Sequence, residues 1–264
     1  MNKEKISNEE LKEMTNGERL YPEFMYDHSR SDHESRYVFA QKYVKEFNHV
    51  LDAACGSGYG SKILSHSAQH VTGIDLSRHA ISYAQEHFGN SSINFRVGDL
   101  GKKFEFSDDS FDAIVSFETL EHVVDQDFML KEFKRVLKPG GVLVISTPDK
   151  NIHKYVDPGN PYHIKELTKE EFITTLSKYF KVFELYGKDP LLSLPIYYKF
   201  LRMLVKIWIR LDVIKLGRSI VPRHIKQKLI KNTETTSEHG NTYPLDIEAP
   251  NIKYDDLIAI CIAS

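Results

Sequence analysis

Residues 50–58, Val-Leu-Asp-Ala-Ala-Cys-Gly-Ser-Gly, constrain this chain more than any other stretch. An apolar strand runs into small residues and then a turn, Gly56-Ser57-Gly58, before helical spacing begins. Seventeen positions beyond Gly58, a second apolar strand, Val71 to Ile74, ends on Asp75. Glycines let a backbone approach a ligand closely, and an acid at the next strand end can hold a ribose diol. The pairing predicts a nucleoside-bearing ligand at the end of a parallel sheet.

The strand–helix rhythm continues. Candidate strands fall at 49–53, 70–75, 93–97, 112–117 and 141–146, separated by helical patterns at 59–67, 77–87 and 126–137. Five strands at this spacing argue for a parallel sheet covered on both faces. Thr168 and Glu171 are spaced as a capping box for a helix over 168–178. Residues 180–187 and 256–262 read as antiparallel partners at the sheet edge, and the expected fold is α/β, a Rossmann-like seven-stranded sheet with a helical insertion before the last strand. The expected units are an N-terminal helical extension over 1–47, a core over 48–189, an insertion over 190–252 and a final strand over 253–264.

Composition narrows the setting. With 41% apolar and 27% charged residues the chain reads as a globular protein. Cys55 and Cys261 provide no disulfide framework, which points to a reducing cytoplasm. The charged start MNKEKISNEELKEM does not read as a signal peptide, and basic residues interrupt the apolar segment from 191 to 216 too often for a transmembrane span. Charge is unevenly spread: residues 190–231 carry ten Lys/Arg against the single acid Asp212, inside a chain of net charge −2.

The spacing of the glycines selects among nucleoside ligands. A dinucleotide fold wants G-x-G-x-x-G, whereas here glycines fall at 56, 58 and 60. Asp52, four residues before the first glycine, would be a poor neighbour for a pyrophosphate and a good one for a cation. S-adenosylmethionine carries a sulfonium and an ammonium and no phosphate, so charge favours it. Five stretches then carry a family resemblance: VLDAACGSGYG (50–60), VTGIDLS (71–77), VGDL (97–100), FDAIVSFETLEHV (111–123) and RVLKPGGVLVISTP (135–148). In their order and spacing the chain resembles the class I S-adenosylmethionine-dependent methyltransferases, in the branch of quinone-biosynthesis and glycan-tailoring enzymes.

The resemblance implies a cofactor site residue by residue. Gly56 and Gly58, with Asp52 and Ala53 before them, would meet the methionine and adenosine parts. Asp75, with Leu76 beside it, would accept from the ribose hydroxyls. Asp99 and the amide of Leu100 would read the adenine edge, and Phe117 would lie along the cofactor. Asp99 also reads as a helix N-cap, Gly60 as a helix-packing residue and Cys55 as a small packing residue. The pattern Gly17-Glu18-Arg19 followed by Glu34-Ser-Arg36-Tyr37 is similar to that of glycan-linked members of the family. It implies that Arg36 pairs with the cofactor's carboxylate and that Tyr21 closes over it; a solvated arginine is the alternative.

The acceptor is less legible. A hydroxyl acceptor benefits from a general base, and His122 and His163 both follow strands on the ligand-binding edge. Either can be the base, and each can instead be structural. Glu118, Glu121 and Tyr162 are candidates for holding substrate, although Glu121 can equally cap the next helix. No His/Asp/Glu group has metal-ligand spacing along the sequence, so no metal is expected. From 196 to 214, Lys199, Arg202, Lys206 and Arg210 form one helical face beside Trp208 and other apolar residues. That segment reads either as a lid over the acceptor or as a peripheral contact with an anionic membrane surface. Nucleic acid is not expected as a partner, and monomer and dimer both stay open. The expected activity is O-methylation of a sugar or glycan-precursor hydroxyl. A quinone, polyketide or other small acceptor is the alternative, and a non-catalytic cofactor-binding scaffold is the reading of a different class.

Overall fold

In a computed structural model of the chain, residues 27–44, 47, 49–156, 160–191, 242–244 and 253–263 are described. Helix α1 (Asp27–Val44) leads into β1 (His49–Ala53), α2 (Tyr59–Leu64), β2 (His70–Asp75), α3 (Arg78–Phe88), β3 (Ile93–Val97) and β4 (Phe111–Ser116). A single 3₁₀ turn, Leu120–His122, precedes α4 (Gln126–Val136) and β5 (Leu137–Pro148). Then follow α5 (Lys150–Val156), α6 (Lys169–Ser177), β6 (Phe180–Leu191), β7 (Thr242–Pro244) and β8 (Lys253–Ala263).

The strands form one sheet in the order β3-β2-β1-β4-β5-β8-β6-β7. Pairs β1–β2, β2–β3, β1–β4 and β4–β5 are parallel, and β8 runs antiparallel to both β5 and β6. The order reverses at β1/β4, and this switch point opens a crevice beyond the strand ends where open α/β sheets take ligands. All seven expected strands are present; three residues of β7 extend the sheet beyond β6. The expected pairing of 180–187 with 256–262 is present too, with β8 lying inside both β6 and the edge strand β7.

Alternation along each strand divides the core between the two faces. Leu51, Ile114 and Ile145 pack with Leu130, Phe133 and Phe172 on one face. Val50, Val71 and Val115 pack with Ala40, Val44 and Ala84 on the other. Helix starts follow local chemistry: Ser77 caps α3 and Asp125 caps α4, and the Thr168/Glu171 capping box is formed in full.

Two elements differ from expectation. β5 begins at Leu137, directly where α4 stops, because Phe111 of β4 already pairs with Leu137 ahead of the irregularity that Lys138–Gly141 introduces. Helix α5 has no amphipathic signature in the sequence. The basic segment expected over 196–231 lies outside the described residues, and so do Tyr21 and the Gly17-Glu18-Arg19 pattern. Among the described residues, no helix is long and apolar enough to cross a membrane.

Candidate active site

A cavity of about 1010 Å³ lies along the β1/β4 switch point. That volume suits a ligand of nucleoside size together with a second small molecule. Its floor is the turn after β1. Ala54, Gly56 and Gly58 all take left-handed backbone angles, φ +65°, +54° and +84°, which fold the chain tightly enough for the Gly58 amide to donate to the Cys55 carbonyl at 3.0 Å. A Cβ on Gly58 would lie 2.6 Å from the Ala84 Cβ and 2.8 Å from the Phe95 ring, so close packing of α3 and β3 forbids one. Gly56 faces the cavity with no atom within 4 Å of where a Cβ would stand. A ligand there meets bare backbone.

Asp75 ends β2 at the cavity wall, nearly buried. Its Oδ2 accepts from the Gly56 amide at 3.0 Å and its Oδ1 from the Ser77 amide at 2.8 Å. These bonds hold the carboxylate rigidly, and each oxygen retains lone-pair capacity for a diol. Leu76 stands exposed on the rim, and Leu100 and Phe117 line the wall. Asp99 lines it as well, and its Oδ1 accepts from the Gly101 amide at 2.9 Å with Lys102 3.1 Å from Oδ2. That amide and Lys102 hold the Asp99 carboxyl below the usual range. Asp99 therefore shapes its loop while remaining on the cavity.

Three expected cofactor residues, Asp52, Ala53 and the packing-bound Gly58, are not on the cavity lining. The pleat of β1 sends Asp52 to the same face as Val50, beneath α1 and α2, and Ala53 into the opposite core. Neither lines the cavity. Asp52 accepts from Ser61 Oγ at 2.6 Å and lies 3.3 Å from the Tyr37 hydroxyl. Burial pushes its carboxyl up to about 7. It is an anchor for the turn rather than a charge presented to a ligand. Gly60 has the packing role: a Cβ there would stand 2.0 Å from the Tyr37 ring. Tyr37, which closes the Glu34-Ser-Arg36-Tyr37 pattern, lines the cavity and meets Phe117 edge-on at 5.1 Å.

Arg36 reaches the cavity from α1 and is buried there. Its NH2 forms an ion pair with Asp256 of β8 and lies 3.8 Å from Glu118 Oε2. Glu118 holds a left-handed φ of +47°, a strained conformation for a side chain of its size; Ser146 fixes it by bonding both its amide and its carboxylate. Asp256 had no signal in the sequence beyond its place at the start of an apolar run.

The opposite end of the cavity is built from the 120–122 turn, α5 and the 160–166 loop. His122 Nδ1 lies 2.9 Å from the Tyr162 carbonyl, which can only accept, so Nδ1 carries the hydrogen and Nε2 the lone pair. Glu121 is fully buried; Thr147 donates to its Oε2 at 2.9 Å, and its Oε1 lies 3.7 Å from His122 Nε2. Burial, then the charges of Glu118 and Asp256, pushes the Glu121 carboxyl well above its ordinary range. Its backbone carbonyl accepts from the Ile164 and Lys165 amides, which ties the turn to the 160–166 loop; it does not cap α4. His163 sits 4.9 Å from His122 between ring centres, with Nδ1 2.7 Å from Glu166 Oε1. Tyr162 is exposed on the rim. The structure thus gathers His122, His163, Glu118, Glu121 and Tyr162 at one end, opposite the nucleoside-type wall.

Residues 51–145, spanning the glycine turn through β5, match the family model described as "Methyltransferase domain". The chain carries a class I S-adenosylmethionine-dependent methyltransferase domain. Among curated relatives of this domain, a Mycolicibacterium smegmatis protein described as a probable S-adenosylmethionine-dependent methyltransferase is 33% identical over 129 residues, covering 48% of this chain and 49% of that protein. A ubiquinone biosynthesis O-methyltransferase of Coxiella burnetii is 35% identical over 118 residues, 44% of this chain and 50% of the relative. The chain spans about half the length of these curated relatives. Solved structures share the fold: YcgJ from Bacillus subtilis superposes with a TM-score of 0.57 at 17% identity, covering 88% of this chain and 98% of that one. The Haemonchus contortus phosphoethanolamine N-methyltransferase 2, solved with S-adenosyl-L-methionine, gives 0.52 at 19% identity, covering 86% of this chain and 52% of that one. In the methyltransferase domain here, the family's fold places the glycine turn, Asp75 and Asp99 along one wall.

Proposed function

We propose that this chain methylates a hydroxyl of a sugar or glycan precursor, with S-adenosylmethionine as donor. The observation that carries the donor is the wall itself: bare backbone at Gly56, a fixed acceptor at Asp75 and a zwitterion-sized charge set at Arg36, Asp256 and Glu118. One guanidinium among two acids matches an amino acid's carboxylate and ammonium together. Leu76, Asp99, Leu100 and Phe117, which line the cavity, complete the proposed cofactor contacts. A bound S-adenosylmethionine supplies an electrophilic methyl group on its sulfonium.

The chain's own residues do the rest. His122 receives the acceptor's hydroxyl proton at Nε2 as the oxygen attacks the methyl carbon and the carbon–sulfur bond breaks. Glu121 Oε1, close by, can share that proton. Glu118, Glu121 and Tyr162 hold the acceptor, and His163 is the second candidate base. Positioning supplies most of the rate for such an in-line displacement. The sugar assignment draws support from the N-terminal pattern that resembles glycan-linked members. A quinone acceptor is the second reading, favoured by the Coxiella burnetii relative.

Calorimetric titration with S-adenosylmethionine tests the donor, and absence of binding to folded protein sinks the reading. Release of S-adenosylhomocysteine with hydroxylated sugar-nucleotide and quinol acceptors separates the two acceptor classes. Binding without turnover on any acceptor would favour the scaffold reading instead.

A further inference from the structure

Helix α5 and the 160–166 loop bring together three groups that stand apart in sequence: His153, His163 and Glu166. The Nδ1 atoms of both histidines converge on the same carboxylate oxygen, Glu166 Oε1, each at 2.7 Å. The two imidazoles stack, 4.7 Å between centres and 25° between planes. All three side chains are largely buried, at 12%, 8% and 18% exposure, and both imidazoles line the cavity. The arrangement has no counterpart in the proton chemistry proposed above, which needs only one oriented base.

We propose that His153 Nδ1, His163 Nδ1 and Glu166 Oε1 form a binding site for a divalent late first-row metal ion, of which zinc is the representative. Two imidazoles and one carboxylate suit such ions and suit magnesium or calcium poorly, since those prefer all-oxygen sets. Tetrahedral zinc ligands stand about 3.3 Å apart, so each Nδ1 needs to draw about half an ångström away from Glu166 Oε1 to admit the ion. The ion takes the lone pair of each Nδ1, and each neutral ring then carries its single hydrogen on Nε2. His163 is then no longer a base at Nε2, which leaves that role to His122. An ion here ties α5 to the 160–166 loop and so fixes the acceptor end of the cavity.

The site is tested on the full chain, stripped of metal, by titrating zinc in a calorimeter and cobalt(II) by visible absorption. Neither measurement needs S-adenosylmethionine or an acceptor, so the result stands apart from the methyl-transfer reading. The expected result is one ion per chain, with tetrahedral-type cobalt absorption and a loss of zinc affinity of about tenfold or more in His153→Ala and Glu166→Gln. His122→Ala is expected to leave the affinity unchanged. Absence of stoichiometric binding by the wild-type chain overturns the proposal even where a variant fails to fold. Affinity unaffected in folded His153→Ala and Glu166→Gln, or lost equally in His122→Ala, overturns it as well.

Discussion

Arg36 in α1 and Asp256 in β8 meet in a buried ion pair although 220 positions separate them. The pair joins the first described helix to the strand between β5 and β6, and it does so on the cavity wall. Removing one partner breaks this buried pair and costs the other its nearest counter-charge. Arg36→Met or Asp256→Leu is therefore expected to destabilise the chain by about 3–5 kcal/mol in urea unfolding, and the double variant to recover a large part of that loss. Additive losses would show that the two side chains act independently.

Gly56 and Gly58 share a left-handed backbone yet predict different phenotypes. Gly58→Ala drives a Cβ into Ala84 and Phe95, with an expected stability loss of about 1–3 kcal/mol and a lower melting temperature. Gly56→Ala meets no protein atom; its main effect is expected on S-adenosylmethionine affinity, read by calorimetry. Equal melting temperatures for the two variants would contradict the packing argument.

Asp52 sets a pH dependence of stability. Its carboxyl titrates near 7 in the folded chain against 3.8 in the unfolded one, so between those values the folded state binds more protons. Its contribution is complete below the unfolded value and fades as pH rises through the folded one, by a few kcal/mol at most. Asp52→Asn is expected to flatten the stability–pH curve between about pH 4 and 7 relative to wild type. Parallel curves for the two proteins would show that Asp52 ionises normally.

His122→Ala is expected to lower kcat by about 10²- to 10⁴-fold on a hydroxyl acceptor while leaving S-adenosylmethionine affinity intact. His163→Ala is expected to cost less, because it is His122 whose Nε2 lies beside the buried Glu121 carboxyl. The reverse order would transfer the base to His163.

Much of the fold was legible because its strands are short apolar runs bounded by turns, with the glycine turn after β1 and the acid that ends β2 both on the cavity. Gly60 and the Thr168/Glu171 box were legible for the same local reason. Asp52 misled: adjacency to a glycine turn says nothing about which way a pleated strand turns its side chain. Asp256 was invisible because its partner arrives from a distant helix. His163 was read only as a candidate base, and its grouping with His153 and Glu166 was missed for a related reason: this cluster exists only once α5 packs beside the 160–166 loop.

The place of β8 in the sheet has a consequence for biosynthesis. β5 and β6 leave the ribosome before β8, and the gap between them must stay open while 192–252 is translated. Through that interval two strand edges stand unpaired, the kind of template that draws neighbouring chains into aggregates. A chain arrested at 252 would keep both edges exposed, so a nascent-chain chaperone has its longest task at this stage.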